Sequence, residues 1–139
     1  MPTVDAAVEL LAPLEDVWAF LAEPRHFADW WPNVAAVEPD RRGLAPGARW
    51  LVHSAKPTYF RKPDAAGTLL VIEVEPMRRW TFQLVGDRID VDLRTEPYAH
   101  DHTLAELIVR GPWLIGLSKR LPRQALGRLY QLVQTAVEL

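Results

Sequence analysis

Residues 68–113 read TLLVIEVEPMRRWTFQLVGDRIDVDLRTEPYAHDHTLAELIVRGPW. Apolar and polar residues alternate through four runs: Thr68–Glu75, Arg78–Val85, Arg88–Glu96 and Thr103–Arg110. A period of two marks strands with one buried face. The breaks are short and rich in turn formers: Pro76-Met77, Gly86-Asp87 and the segment Pro97–His102. Such short connections join antiparallel neighbours. Gly111-Pro112 then ends the pattern, so everything after it has a different period.

Working upstream, Val34–Glu38 and Ala48–Ala55 read as two further strands around a turn at Arg42–Gly47, which contains Pro46-Gly47. A long loop, Lys56–Gly67, leads into the quoted stretch. At the start of the chain Val4, Ala6, Val8 and Leu10 alternate with Thr3, Asp5, Ala7 and Glu9, which makes a first strand. Pro13 suits a first helical position, and Glu15 and Asp16 lie where the helix dipole favours anions. Val17, Trp18 and Leu21 form the apolar stripe of that short helix. After Pro24, Phe27, Trp30 and Trp31 belong to a second short helix that Pro32 stops. Downstream, Trp113 to Leu139 reads as helix, with a kink or restart at Pro122. Leu126, Leu129, Val133, Ala136 and Val137 keep one face of it apolar.

These elements predict an α+β fold. A curved seven-stranded antiparallel sheet carries two short helices after its first strand. A long C-terminal helix lies across the sheet and encloses a cavity with it. The length of 139 residues suits a single domain spanning residues 1–139. Apolar residues make up 49% and charged residues 24%, a composition that excludes disorder. Cys is absent, which removes disulfides, thiolate metal sites and a Cys nucleophile. The net charge of -2 carries no footprint of nucleic-acid binding. Met1–Leu11 holds Asp5 and Glu9 and no basic residue, unlike a secretory leader. No apolar run approaches the roughly 20 residues of a membrane span, so no integral membrane segment is expected and the location expected is cytoplasmic. Six Trp are more than one small core normally needs.

In the order of these elements the chain resembles the helix-grip superfamily of START and Bet v 1 proteins, and within it the polyketide cyclase/dehydrase-like group. The resemblance rests on Leu11-Ala12-Pro13 followed by Val17-Trp18, and on Asp29-Trp30-Trp31-Pro32-Asn33-Val34. It continues in Pro46-Gly47-Ala48-Arg49-Trp50, Glu75-Pro76, Arg78-Arg79-Trp80-Thr81-Phe82 and Gly111-Pro112-Trp113. It implies the helix-grip fold and a cavity that holds a lipid, polyketide, sterol or other apolar molecule.

Alternation assigns the lining of that cavity. Trp50, Val52 and Ser54 share one side of their strand, with Arg49, Leu51 and His53 on the other. Trp80, Phe82 and Leu84 share a side, as do Ile89, Val91 and Leu93, which oppose Arg88, Asp90, Asp92 and Arg94. The apolar sets are expected to face the helix, where Leu126, Leu129, Tyr130 and Val133 meet them. Tyr59 on the long loop and Tyr98 near a hairpin turn are candidates for hydroxyls at the cavity mouth, and Lys56–Gly67 is a candidate lid. Trp18 and Trp30 are expected to fasten the short helices, with Trp31 and Trp113 near their ends and the sheet exit.

Catalytic signals are weak. Ser54 and His53 are strand neighbours that point to opposite faces, so they make no nucleophile–base pair. His100-Asp101-His102 lacks a third ligand and reads as an exposed turn, so no metal is expected. Asp90 and Asp92 are expected on a solvated face, and His26 at the surface. No phosphate loop or dinucleotide fingerprint is present, and no cofactor is expected. Residues 1–40 hold eight acids (Asp5, Glu9, Glu15, Asp16, Glu23, Asp29, Glu38 and Asp40) against Arg25 alone. Near the last helix, Lys119, Arg120 and Arg123 read as a solvated face, with attraction to an anionic head group as the alternative. Three functions follow. The first is a monomer or homodimer that binds a small hydrophobic ligand. The second is a cyclase/aromatase or dehydrase-type enzyme using the same cavity. The third is an interaction module with an exposed patch at Trp31 or Trp113.

Overall fold

The computed structural model describes residues 3–54, 66–86, 88–111 and 120–138. Seven strands form one antiparallel sheet: β1 (Thr3–Leu10), β2 (Val34–Glu38), β3 (Arg49–Ser54), β4 (Ala66–Glu75), β5 (Arg79–Leu84), β6 (Ile89–Tyr98) and β7 (His102–Arg110). Their order is β1-β7-β6-β5-β4-β3-β2, so every neighbour is also next in sequence except the β1–β7 pair. The helices are α1 (Leu14–Leu21), α2 (Phe27–Trp30) and α3 (Leu121–Glu138), with a 3₁₀ turn at Pro24–His26 leading into α2.

The strand pattern read from the sequence holds, with boundaries displaced by a few residues. β4 starts two residues early, taking Ala66 and Gly67 from the expected loop, and at the β6–β7 hairpin Pro97 and Tyr98 continue the strand instead of starting the turn. Pro97 pairs with Thr103 on the β7 side. Two residues earlier, Thr95 N–H points the other way and reaches Arg78 O at 2.8 Å. At Pro97 that other side has no β5 residue to bond, because β5 starts at Arg79, opposite Arg94. A missing N–H therefore breaks no ladder bond, which is where a strand tolerates proline. The reversal is then made by Ala99, His100 and Asp101, with positive φ at Ala99 and Asp101.

β4 carries a bulge between Val71 and Glu73. Ile72 is the extra residue and stands exposed, while Val74 returns to the buried side opposite Trp80. A bulge bends and twists its strand, which curves this part of the sheet around the helix side. On β7 the alternation is complete: Thr103, Ala105, Leu107 and Val109 are buried, and the residues between them are not.

α1 starts at Leu14, with Pro13 as its cap residue and Pro13 O accepting from Asp16 N and Val17 N. α2 is a single turn that ends at Trp30, because Trp31 precedes Pro32 and adopts extended backbone. Pro122 lies in the first turn of α3, where proline is tolerated; the expected helix over residues 113–119 lies outside the described residues. α3 packs chiefly on β1 and β7 and against α1 and α2. The inner face of β3, β4 and β5 belongs to the same buried core as Leu126, Leu129 and Val133 of α3.

Candidate functional site

Aromatic side chains from α2 and the residue after it pack on that face. Phe27 on α2 lies 5.5 Å from Phe82, 6.1 Å from Trp80 and 6.3 Å from Trp50, ring centre to ring centre, and meets each edge-on. Trp31 stacks on Phe27 at 5.4 Å and touches Phe82 edge-on at 5.6 Å. Trp30 meets Trp80 at 6.3 Å and Trp31 at 5.6 Å. Across the sheet, Trp80 lies 5.6 Å from Trp50 and 4.6 Å from Phe82. Edge-to-face and offset pairs at these distances each add about 0.5–1.5 kcal/mol beyond their burial. Trp50, Trp80 and Phe82 therefore do not stand as bare cavity walls. Rings brought by α2 pack against them, and all are buried.

The other candidate residues divide by position. Val52 and Val91 are buried on the same face as the rings, and Leu126, Leu129 and Val133 are buried on α3. Leu84 and Ile89 pair with each other at the end of the β5–β6 hairpin and are half-buried against the core, as is Tyr130. Ser54 is half-buried at the end of β3, opposite Val34. Tyr98 stands apart: it is 45% exposed and follows Asp92, Arg94 and Glu96 on the outer face. Tyr59, the loop Lys56–Gly67 up to residue 65, Asp87, Trp113 and Lys119 lie outside the described residues.

Two surface expectations are corrected. Trp31 is buried and stacked on Phe27, so it offers no exposed patch. His26 is half-buried: its ring stacks on Phe20 at 4.1 Å and its Nδ1 donates to Phe20 O at 2.8 Å. Both corrections have one cause, the fold-back of the α1–α2 connection. The involvement of Phe27, Trp30 and Trp31 in the cluster was legible in one signal, their spacing of i, i+3 and i+4, which puts them on one side of a helical turn.

The polar groups facing this interior are few and mostly satisfied. Trp18 Nε1 donates to Thr95 Oγ1 at 2.8 Å, and Thr95 Oγ1 in turn donates to Met77 O at 3.3 Å. Thr103 Oγ1 donates to Ala12 O at 2.9 Å, and Trp50 Nε1 to Gly43 O at 2.8 Å. Trp80 Nε1 is different: it is buried and has no hydrogen-bond partner among the described residues, a state it shares with Thr81 Oγ1 on the same strand. None of these groups is an acid or a base.

The ionisable residues sit on the opposite face. Asp92 accepts two bonds from Arg79, at 2.9 and 3.1 Å, and one from Arg94 at 3.0 Å. The hydrogen bond and charge of Asp92 raise the Arg79 pKa further above its ordinary value. A hollow of about 560 Å³ opens nearby between Ala7, Glu75, Arg78, Arg79, Arg94, Thr95, Glu96, Leu104 and Glu106. Its acids and bases balance, and Arg94 is already committed to Asp92, so it offers no strong field to a ligand. His102 Nδ1 meets Glu9 Oε1 at 2.7 Å and His53 Nε2 lies 3.4 Å from Glu38 Oε2, so both histidines are tied across neighbouring strands. Among the described residues no group of three or more His, Asp or Glu is placed to hold a metal ion, and no helix is long and apolar enough to cross a membrane.

Solved structures share this architecture at low identity. The protein XoxI from Bacillus cereus is 12% identical, with a TM-score of 0.73 and 99% of each chain covered. A protein from Nitrosomonas europaea is 15% identical, with a TM-score of 0.76, covering 99% of this chain and 97% of that one. A START superfamily protein from Mycobacterium smegmatis is 13% identical, with a TM-score of 0.72, covering 96% of this chain and 98% of that one. A search of curated protein sequences found no match. The order of elements, the aromatic inner face of the sheet and these likenesses agree with a family model that matches residues 1–133: the chain belongs to the family described as polyketide cyclase / dehydrase and lipid transport.

Proposed function

We propose that the protein binds a small hydrophobic molecule between the sheet and its helices, against the aromatic cluster. The observation that carries this reading is the cluster itself. Trp50, Trp80 and Phe82 on the sheet pack against Phe27 and Trp30 of a four-residue helix and against Trp31 beside it. A single helical turn has little stability of its own and is held by its side-chain contacts. Aromatic faces line apolar ligand sites because they present large, rigid, weakly polar surface. A flat apolar ligand would replace the rings of Phe27 and Trp31 over Trp80 and Phe82. Leu126, Leu129 and Val133 of α3 would close the site from the other side, with Val52, Val91, Leu84, Ile89 and Tyr130 around it.

Family membership supports the same class of ligand. The enzyme reading has less to stand on. The polar side chains that the described strands turn inward are Ser54, Thr95 and Thr103, and the two threonines are committed to hydrogen bonds. Proton transfer needs a group with a pKa near the working pH, which none of these has.

Native mass spectrometry of the purified protein, with fatty acids, sterols and aromatic polyketides added in turn, tests the proposal. A one-to-one complex that also quenches Trp fluorescence is expected. Spectra showing only the bare protein, with fluorescence unchanged throughout the series, would overturn it.

A further inference from the structure

Trp80 is 1% exposed and its Nε1 is fully buried without a hydrogen-bond partner among the described residues. Buried donors are almost always paired, and an exception asks for a reason. Two other inward indoles are paired: Trp18 with Thr95 and Trp50 with the Gly43 carbonyl, each at 2.8 Å. Among the described residues its ring neighbours are Phe27, Trp30, Trp50 and Phe82, and its strand partners are Val74 and Leu93. These side chains carry no acceptor oxygen. A ring face can receive an N–H only weakly. A trapped water needs two to four polar partners, which these side chains do not supply.

We infer that Trp80 Nε1 is the polar contact of the site, and that the ligand is an apolar body bearing a hydrogen-bond acceptor, a carbonyl or ether oxygen, which it presents to that N–H. The inference rests on the ligand-binding reading above and deepens it. A bare hydrocarbon would leave the donor unpaired, whereas an acceptor satisfies it inside a low-dielectric interior, where the bond counts most. The acceptor's place is set by β5: Trp80 lies on the central strand, and its flanking strands β4 and β6 hold it in register from both sides. The discrimination is thus against oxygen-free molecules of equal size and shape.

A matched pair of probes tests this: 2-acetylnaphthalene, and 2-isopropenylnaphthalene, in which a methylene group stands in for the carbonyl oxygen. Both are titrated calorimetrically into the full chain and into Trp80→Phe, which keeps an aromatic ring and removes the donor. The wild type is expected to bind the ketone about tenfold more tightly, the worth of one satisfied buried donor. In Trp80→Phe both probes bind and the ratio falls to about one. A second readout does not need the variant to fold: in the wild type, the indole N–H resonance of Trp80 moves downfield with the ketone and not with the alkene. Equal affinities in the wild type, with that resonance unmoved, would overturn the inference and leave the ligand-binding reading standing. Binding of neither probe, together with bare-protein spectra throughout the mass-spectrometric series, would overturn both.

Discussion

Trp18 on α1 and Thr95 on β6 are 77 residues apart in sequence and 2.8 Å apart in the fold, indole N–H to hydroxyl oxygen. The same hydroxyl donates to Met77 O in the β4–β5 turn, so three segments meet at one side chain. Thr95→Val keeps the shape and removes the acceptor, leaving a buried donor unpaired. It is expected to lower the unfolding free energy by about 1–3 kcal/mol. The double variant Trp18→Phe/Thr95→Val should lose less than the two single losses added together, because it removes both partners at once. Urea titrations of the four proteins check this; strict additivity would show that the bond contributes nothing.

Phe27 is the ring that α2 places at the centre of the cluster. Phe27→Ala should destabilise the protein by about 3–5 kcal/mol, the usual loss for a buried phenylalanine. The cavity it leaves is apolar, and such a cavity accepts an apolar molecule. Benzene or naphthalene should therefore raise the melting temperature of Phe27→Ala, and raise it more than that of the wild type. A variant that melts at the same temperature with and without these compounds would contradict this.

Asp40 holds the β2–β3 turn by accepting backbone N–H bonds from Arg42 and Arg49, both at 2.9 Å. The Arg49 N–H is the largest influence holding its carboxyl below the ordinary value of 3.8, with Arg42 adding to it. A depressed carboxylate pKa stabilises the fold above the unfolded-state value and loses that contribution as the pH falls through the folded one. Asp40→Ala should thus be less stable than the wild type at neutral pH, and the gap should close on acidification below about pH 4. An NMR titration of the Asp40 carboxyl should give a midpoint under 3.8. A midpoint at or above that value would refute the assignment.

Met77 sits in the β4–β5 turn with φ of 70°, a left-handed conformation that carries a penalty of roughly 1–2 kcal/mol in a residue with a side chain. Its side chain is exposed, so little packing would be lost on removing it. Met77→Gly should stabilise the protein by up to about 1 kcal/mol, the relief of strain being partly offset by the greater freedom of glycine in the unfolded chain. Thermal melts of the two proteins decide the sign.

Asp92 clamps Arg79 and Arg94 on the outer face of the sheet. Both arginines are substantially exposed, so the network is screened and Asp92→Asn should lose only about 1 kcal/mol or less. The loss should shrink as salt is raised from 0.01 to about 1 M. A loss that does not change with salt would mean that Asp92 acts through packing and not through charge.

The strands were readable because their cause is local. Each inward residue is two positions from the next, and turn formers punctuate the runs, so Trp80, Phe82, Val91 and Leu93 declare their face without any knowledge of their neighbours. Sequence reading also separated Asp90 and Asp92 from that face. It fell short where the outcome depended on distant packing. Pro97 and Tyr98 looked like turn residues, yet proline fits there because β5 begins too late to need its N–H. Trp31 looked like a surface residue at a helix end, yet it stacks on Phe27 over Phe82.

What the amino-acid order determined by itself was a set of faces: seven strands with one apolar side, two short helices, one long amphipathic helix, and more indoles than a plain core requires. The tertiary structure decided which faces meet. α3 settles on β1 and β7, and the rings of α2 reach across to Trp50, Trp80 and Phe82. The physical reason is that alternation is a property of one strand, whereas a ring contact or a hydrogen bond joins residues whose separation along the chain carries no signal of their approach. Of the inward indoles, Trp18 and Trp50 found acceptors in this way, and Trp80 Nε1 is buried without a partner among the described residues.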